Sequence, residues 1–181
     1  SFYRRAVELQ KKYADGRQVD NCIQTNGTLL TDEWCEFLRE NNFLVGISVD
    51  GGALFHDTFR RDKQGRPTFE RVMRSIEMLR RHGVEYNAMA VVNRLNADYP
   101  EDFYRFFKQM DCRYIQFAPI VEPMRDPATG RMTVIPSSVS PQQWGEFLCR
   151  LFDEWVKEDV GKFFIRHFDD VLANWVGVTP G

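Results

Sequence analysis

The chain has 181 residues, of which 43% are hydrophobic and 28% charged, with a formal net charge of −2 at pH 7. Such a chain is long enough to bury the core of one domain or part of one, and its composition is that of a globular protein rather than a disordered or fibrous one. No apolar run approaches the ~20 residues that span a bilayer and no signal-peptide pattern opens the sequence, so a cytoplasmic protein with no membrane partner is expected. The near-neutral charge argues against a dedicated nucleic-acid binder, despite the local basic run of Arg60, Arg61, Lys63 and Arg66.

Phe2 to Tyr13 has helical periodicity, with Ala6, Val7 and Leu9 on its apolar side and Ala14-Asp15-Gly16 as its stop. A chain opening on such a helix is expected to lack the strand that would precede it. Val19 to Thr25 reads as a strand ending in the polar tip Gln24-Thr25-Asn26-Gly27. Thr31 or Asp32 then caps a helix to about Asn41, with Trp34, Phe37 and Leu38 facing inward. Phe43 to Val49 is the second strand, and its apolar run changes abruptly to Ser48-Val49-Asp50-Gly51-Gly52.

Ala53 to Pro67 reads as a charged loop punctuated by Gly65 and Pro67. Thr68 caps the next helix, whose inner side carries Val72, Met73, Ile76, Met78 and Leu79. Its last turn holds Arg80, Arg81 and His82, cations that complement the helix dipole, so His82 is read as structural. Val84 to Val92 is a third strand ending at Asn93, Asp98-Tyr99-Pro100 opens a helix through Phe103, Phe106 and Phe107, and Tyr114 to Phe117 is a fourth strand. This alternation predicts a parallel sheet or part of a barrel. From Ala118 to Ser140, four prolines and Gly130 break the rhythm and predict a long irregular loop. Pro141 opens an amphipathic helix to about Asp159, Phe163 to Ile165 reads as a short strand, and Asp169 to Val176 as a last helix.

Polar groups recur at the strand ends. Alternation sends Gln24 and Asn26 to one face, and likewise Ser48 and Asp50; Asn93 ends the third strand and Gln116 lies within the fourth. Together they suit hydrogen bonding to a ribose, an amino-acid head group or a peptide, although Asn-Gly and Asp-Gly also form turns that need no ligand. Arg60 follows the Ser48/Asp50 strand and suits a carboxylate over that mouth, or is simply a solvated loop arginine. His56-Asp57 is either an acid/base pair or a shaper of the turn. Cys22, Cys35, Cys112 and Cys149 have neither CxxC nor CxxxCxxC spacing and read as reduced, mostly buried thiols rather than ligands. Neither a Ser-His-Asp pattern nor HExxH is present, the catalytic residue is not assigned, and Gly51-Gly52 alone does not argue for phosphate binding.

The stretches QTNGTLLTDEWCEFLRENNFLVGISVDG, HDTFRRDKQGRPTFERVMRSIEMLRRHGVEYNAMAVVN and CRYIQFAPIVE resemble the middle of the anaerobic sulfatase-maturating enzymes, radical S-adenosylmethionine (SAM) enzymes of the SPASM-containing group. The likeness is looser in the proline-rich loop and resumes at FFIRHFDDVLANWVG. It implies a partial parallel (β/α) barrel with about four strands here and outer helices, residues 1–181 being its central and C-terminal part. It also implies SAM and [4Fe-4S] clusters in the parent enzyme, and oxidation of a sulfatase Cys or Ser to Cα-formylglycine within a Cys/Ser-x-Pro-x-Arg motif. By the same resemblance Gln24, Asn26, Ser48, Asp50 and Arg60 line the SAM cavity, with Gln116 and Asn93 on the substrate side.

The chain departs from that pattern in having no CxxxCxxC, no glycine-rich strand-two motif and no cysteine-rich C-terminal module, and in having Gly52 where proline is usual. No cluster is therefore expected on these residues, and the stretch alone is expected not to cleave SAM. An exposed sheet edge would favour self-association. The alternatives are a SPASM maturase of another peptide and a non-catalytic peptide-binding domain.

Overall fold

Apolar strands alternate with amphipathic helices because each crossover helix must return the chain to the same end of a parallel sheet. In the computed structural model, which describes residues 2–178, α1 (Phe2–Tyr13) leads into β1 (Asn21–Thr25), α2 (Asp32–Glu40), β2 (Phe43–Ser48), α3 (Ala53–Phe59) and α4 (Phe69–Arg81). There follow β3 (Tyr86–Val92), α5 (Pro100–Gln109), β4 (Tyr114–Pro119), the pair β5 (Pro123–Arg125) and β6 (Met132–Val134), α6 (Pro141–Glu158), β7 (Phe164–Ile165) and α7 (Arg166–Trp175). The main sheet has five strands in the order β1-β2-β3-β4-β7, every neighbouring pair parallel. No helix among the described residues is long and apolar enough to cross a membrane.

The two faces of this sheet differ. On one, Val45, Ile47, Val49, Ala88, Ala90, Val92, Ile115 and Ile165 are buried together with Leu38 of α2, Val72 and Leu79 of α4, Phe107 of α5, Trp155 of α6 and Phe168 of α7. The alternate residues Cys22, Gln24, Leu44 and Tyr114 are exposed, and Ser48, Asn87, Met89 and Gln116 half-buried. A flat parallel sheet is normally covered on both faces. One bare, largely polar face is what the inside of a partial barrel presents.

Phe103 ties this core to the end of β2. Its ring lies 5.4 to 6.4 Å from those of Phe55, Phe107, Phe117 and Phe147. Gly51 has φ +88°, and a Cβ there would stand 3.0 Å from Phe103 Cδ2. Only a glycine turns the chain at this point while letting the ring close beneath it.

Several elements differ from what the sequence leads one to expect. The stretch read as one loop from Ala53 to Pro67 begins with α3, whose seven residues are too few to show a period. The irregular loop is a hairpin: the Ile135 N–H donates to the Glu122 carbonyl (2.9 Å) and the Asp126 N–H to that of Arg131 (2.9 Å), bracketing the β5–β6 register. Its strands are largely solvent-exposed, so no apolar alternation announced them. The short strand expected at Phe163 to Ile165 forms as β7, and by pairing Phe164 and Ile165 with Tyr114 and Ile115 it brings the sheet to five strands where about four are expected. Of the thiols, Cys35 and Cys112 are buried but Cys22 and Cys149 are exposed, because they fall on the bare sheet face and on the outside of α6.

Truncating Phe103 to alanine removes four aromatic contacts from a fully buried position. A loss of about 3–5 kcal/mol is expected in denaturant titrations.

Candidate functional site

At the C-terminal end of β2 the ladder continues one step beyond the strand, since the Val49 N–H donates to the Met89 carbonyl (3.1 Å). Asp50 then replaces main chain with side chain: its Oδ1 accepts the Val91 N–H at 2.8 Å. Arg60 grips the same carboxylate as a fork, Nε to Oδ2 at 2.5 Å and Nη2 to Oδ1 at 2.9 Å. The Asp50 side chain is 4% exposed and that of Arg60 25%. The two residues read as facing a ligand are thus together, and bonded first of all to each other. Arg60 Nη1 makes no hydrogen bond among the described residues.

His56 lies fully buried beneath this pair. Its Nδ1 accepts the Asp50 N–H (3.3 Å), which puts the ring proton on Nε2, 3.0 Å from Thr68 Oγ1. The Thr68 hydroxyl in turn donates to the Arg60 carbonyl (2.7 Å). Burial holds the imidazole pKa below its ordinary value; Asp50, the next cause, works against this, Arg60 adds to the lowering and Asp57 opposes it. Asp57 is occupied elsewhere, its Oδ1 accepting the Thr68 and Phe69 N–H groups (2.8 and 2.9 Å) at the start of α4. His56-Asp57 is therefore not an acid/base pair but two separate anchors of the turn. His82 has the structural role expected, its Nε2 being 2.7 Å from Asp32 Oδ1 and so linking α4 to α2.

On the bare face, parallel registry aligns Gln24 with Gly46 and Gly46 with Asn87, and two residues further along aligns Ser48 with Met89 and Met89 with Gln116. Gln24 Nε2 donates to Ser48 Oγ (3.2 Å). Its Oε1 folds over Gly46, where a Cβ would overlap it and would stand 3.2 Å from Asn87 Oδ1. Gly46 is thus the missing side chain that lets two amides approach across β2. Asn26 and Asn93 are held in their own turns: Asn26 Oδ1 accepts from Thr28 N and Oγ1 (3.1 and 3.0 Å), and buried Asn93 Oδ1 from Leu95 and Asn96 N–H groups (2.9 and 3.2 Å). Asn87 and Thr68 were not read as site residues. The signal for Asn87 is a lone amide in the run Tyr86-Asn87-Ala88-Met89-Ala90; for Thr68 the sequence carries none beyond a cap.

The larger hollow of this face, about 660 Å³, lies toward the other end of the strands, between Leu44, Tyr86 and Tyr114, and reaches Asn87. Its charged members Arg80, Glu85, Asp111 and Arg113 are exposed, Arg113 pairing with Asp111 (3.1 Å) and Arg80 donating to the Tyr86 hydroxyl (2.8 Å). A groove of about 430 Å³ passes Asn87 and Gln116 toward Arg166 and Asp169. Burial pushes the Asp169 carboxyl up, and neighbouring Asp170 adds to the shift. Asn87 and Gln116 line the smaller groove, and Gln24 and Ser48 lie in the same two register rows, so the candidate site is the polar wall running from that groove to the strand mouth at Asp50.

The side chains fit one expected group and not the other. A slot of amides and a hydroxyl beside a forked arginine suits a zwitterionic nucleoside such as SAM. An iron–sulfur cluster needs convergent thiolates. Here the four cysteines are dispersed over β1, α2, the turn before β4, and α6. Burial pushes the Cys112 thiol up to about 11. Among the described residues no three His, Cys, Asp or Glu side chains converge as a metal site.

Residues 1–107 match the radical SAM superfamily. The whole chain is 63% identical to 46% of a serine-type anaerobic sulfatase-maturating enzyme of Bacteroides thetaiotaomicron. It is also 41% identical, over 99% of its length, to 48% of a cysteine-type enzyme of Clostridium novyi. A solved structure, native anSMEcpe with bound AdoMet, superposes with a TM-score of 0.88 at 33% identity, covering 99% of this chain and 49% of that one. The same protein solved with AdoMet and a Kp18Cys peptide superposes equally well, at a TM-score of 0.88. The chain spans about half the length of the relatives it matches.

Two outcomes follow from the anchors at the strand mouth. Asp50→Ala strands a half-buried guanidinium and the Val91 N–H, and is expected to cost about 3 kcal/mol in denaturant unfolding. For His56, the unfolded chain takes up its proton near the ordinary value of about 6.5 while the folded chain resists to lower pH. Its contribution to stability is therefore fully present above that value and is lost as pH falls through the lowered folded one. Unfolding free energies measured from pH 7.5 downward should decline below about 6.5, and His56→Gln should flatten that limb.

Proposed function

Since the chain belongs to the radical SAM superfamily, we propose that it forms the SAM-binding wall of an enzyme that oxidises an active-site serine or cysteine of a sulfatase to formylglycine. Residues 1–181 are, in this reading, the central and C-terminal part of its partial barrel. The observation that carries it is the pair of adjacent register rows on the bare sheet face, one holding Gln24 and Asn87 and the next Ser48 and Gln116, which lead from the middle of the sheet to the Arg60 fork at the C-terminal end of β2. The 63% identity to a serine-type enzyme favours serine as the residue oxidised.

Within the site, Gln24, Ser48 and Asn87 bind polar groups of SAM across the gap left by Gly46. Arg60, already fixed on Asp50, keeps Nη1 for the carboxylate of the amino-acid moiety. Gln116 faces the peptide, and Asn26 and Asn93 set the loops that rim the cavity. SAM bound beside a reduced iron–sulfur cluster supplies hydrogen-abstracting radical chemistry. The thiolates for such a cluster are assigned to sequence outside these 181 residues, because the four present do not converge. The wall's own part is to bind, to orient and to keep the substrate carbon in reach. The substrate is a sulfatase polypeptide carrying a Ser/Cys-x-Pro-x-Arg motif, met in the cytoplasm. The outer edge of β1, unpaired among the described residues, is where further strands or a second chain add.

The full-length protein, reconstituted anaerobically with iron and sulfide, should convert a Ser-x-Pro-x-Arg peptide to an aldehyde that a hydrazide probe captures. SAM cleavage with the serine and cysteine peptides both unchanged would falsify the substrate assignment. Gly46→Ala displaces the Gln24 amide without touching the core, and should weaken SAM binding by about tenfold or more while the chain stays folded; unaltered affinity would remove Gln24 from the site.

A further inference from the structure

We propose that His56 and Thr68 are positioning residues for the Arg60 guanidinium. This rests on the reading of Arg60 as a contact to the carboxylate of SAM. Five hydrogen bonds, two of them the Arg60 fork, close a ring that starts and ends at Asp50. The Asp50 N–H donates to His56 Nδ1 (3.3 Å), His56 Nε2–H to Thr68 Oγ1 (3.0 Å), the Thr68 hydroxyl to the Arg60 carbonyl (2.7 Å), and the Arg60 fork to the Asp50 carboxylate (2.5 and 2.9 Å). Every donor in the ring has one acceptor, so the direction is fixed all the way round.

The ring holds residue 60 at both ends. Arg60 is the C-cap of α3 with φ −98° and ψ 89°, its N–H still donating to the His56 carbonyl (2.9 Å) while its own carbonyl has left the helix. The Thr68 hydroxyl is the donor to that carbonyl, and without it the carbonyl end of residue 60 loses this tie and can shift, carrying the guanidinium with it.

Thr68 is also drawn away from the role its position dictates. It is the N-cap of α4, where a threonine oxygen ordinarily accepts a first-turn N–H, yet it makes no such bond. Asp57 caps in its place, taking the Thr68 and Phe69 N–H groups. The hydroxyl is thereby released to the ring. Charges facing His56 are those of Asp50 at the β2 end, Asp57 on its own helix and Arg60. From α4 it meets the uncharged Thr68 and the ring of Phe69, 5.8 Å away.

The test compares two probes in the full-length protein. SAM carries the amino-acid carboxylate, whereas 5′-methylthioadenosine shares its adenosine and thioether without it. By calorimetry Thr68→Val should weaken SAM by about tenfold and leave methylthioadenosine within about twofold, and Thr68→Ser, which keeps the hydroxyl, should restore SAM binding. Loss of both probes together, an unchanged SAM affinity, or no rescue by serine would overturn the proposal. In the unmodified protein, ¹⁵N shifts must put the His56 proton on Nε2, and a proton on Nδ1 would break the ring whatever the variants do. If Arg60→Leu leaves SAM binding intact, the underlying reading of Arg60 fails, and the proposal with it. If Arg60→Leu weakens SAM and Thr68→Val does not, only the positioning role fails.

Discussion

One carboxylate at the end of β2 joins three pieces of chain. Asp50 takes the Val91 N–H in place of a neighbouring strand, accepts the Arg60 fork, and offers its own N–H to His56. Burying a carboxylate to this degree is unfavourable unless its lone pairs are filled in good geometry, and here three charge-assisted or main-chain bonds fill them. The turn that follows is fixed from below by Gly51 against Phe103, so the aromatic core and the strand mouth share one anchor.

The division of labour across the sheet follows from the same economy of positions. A strand's period of two sends Val45, Ile47 and Val49 to the helices, and Gly46, Ser48 and Asp50 to the other side. Because five strands pair in parallel with fixed register, the polar residues of separate strands fall into rows rather than scattering. The rows place Gln24, Gly46 and Asn87 side by side, and a position with no side chain becomes the gap across which two amides meet.

Much of this was legible in the amino-acid order. Alternating periods mark the helices other than α3 and the four principal strands, and alternation puts Gln24 with Asn26, and Ser48 with Asp50, on one face of each strand. The register that brings Gln24 to Ser48 comes only with the structure. What a sequence does not carry is who satisfies whom. Asp50 and Arg60 both read as residues for a ligand, yet each is first the other's partner, since a carboxylate buried at a strand end must be paired before anything else binds. His56 beside Asp57 reads equally as a dyad or as a shaper of the turn, and the second holds, since the two side chains go to different partners. Asn87 passed unread because one amide in an apolar strand becomes informative only once its neighbours across the sheet are known. The β5–β6 hairpin passed unread because strands exposed on both faces have no period to detect. The family was legible from QTNGTLLTDEW and HDTFRRDKQGRP, whereas the cluster thiolates of that family have no counterpart among Cys22, Cys35, Cys112 and Cys149.

The most direct measurement is a titration of the isotope-labelled protein with SAM, followed through backbone amide and side-chain NH₂ shifts. Binding at the polar wall moves Gln24, Gly46, Ser48 and Gln116, together with Asn87 where the wall meets the larger hollow, and leaves Leu44, Glu85, Asp111 and Arg113 of that hollow unperturbed. Shifts gathered at Leu44, Glu85, Asp111 and Arg113, with Gln24, Gly46, Ser48 and Gln116 silent, would contradict the assignment of the site.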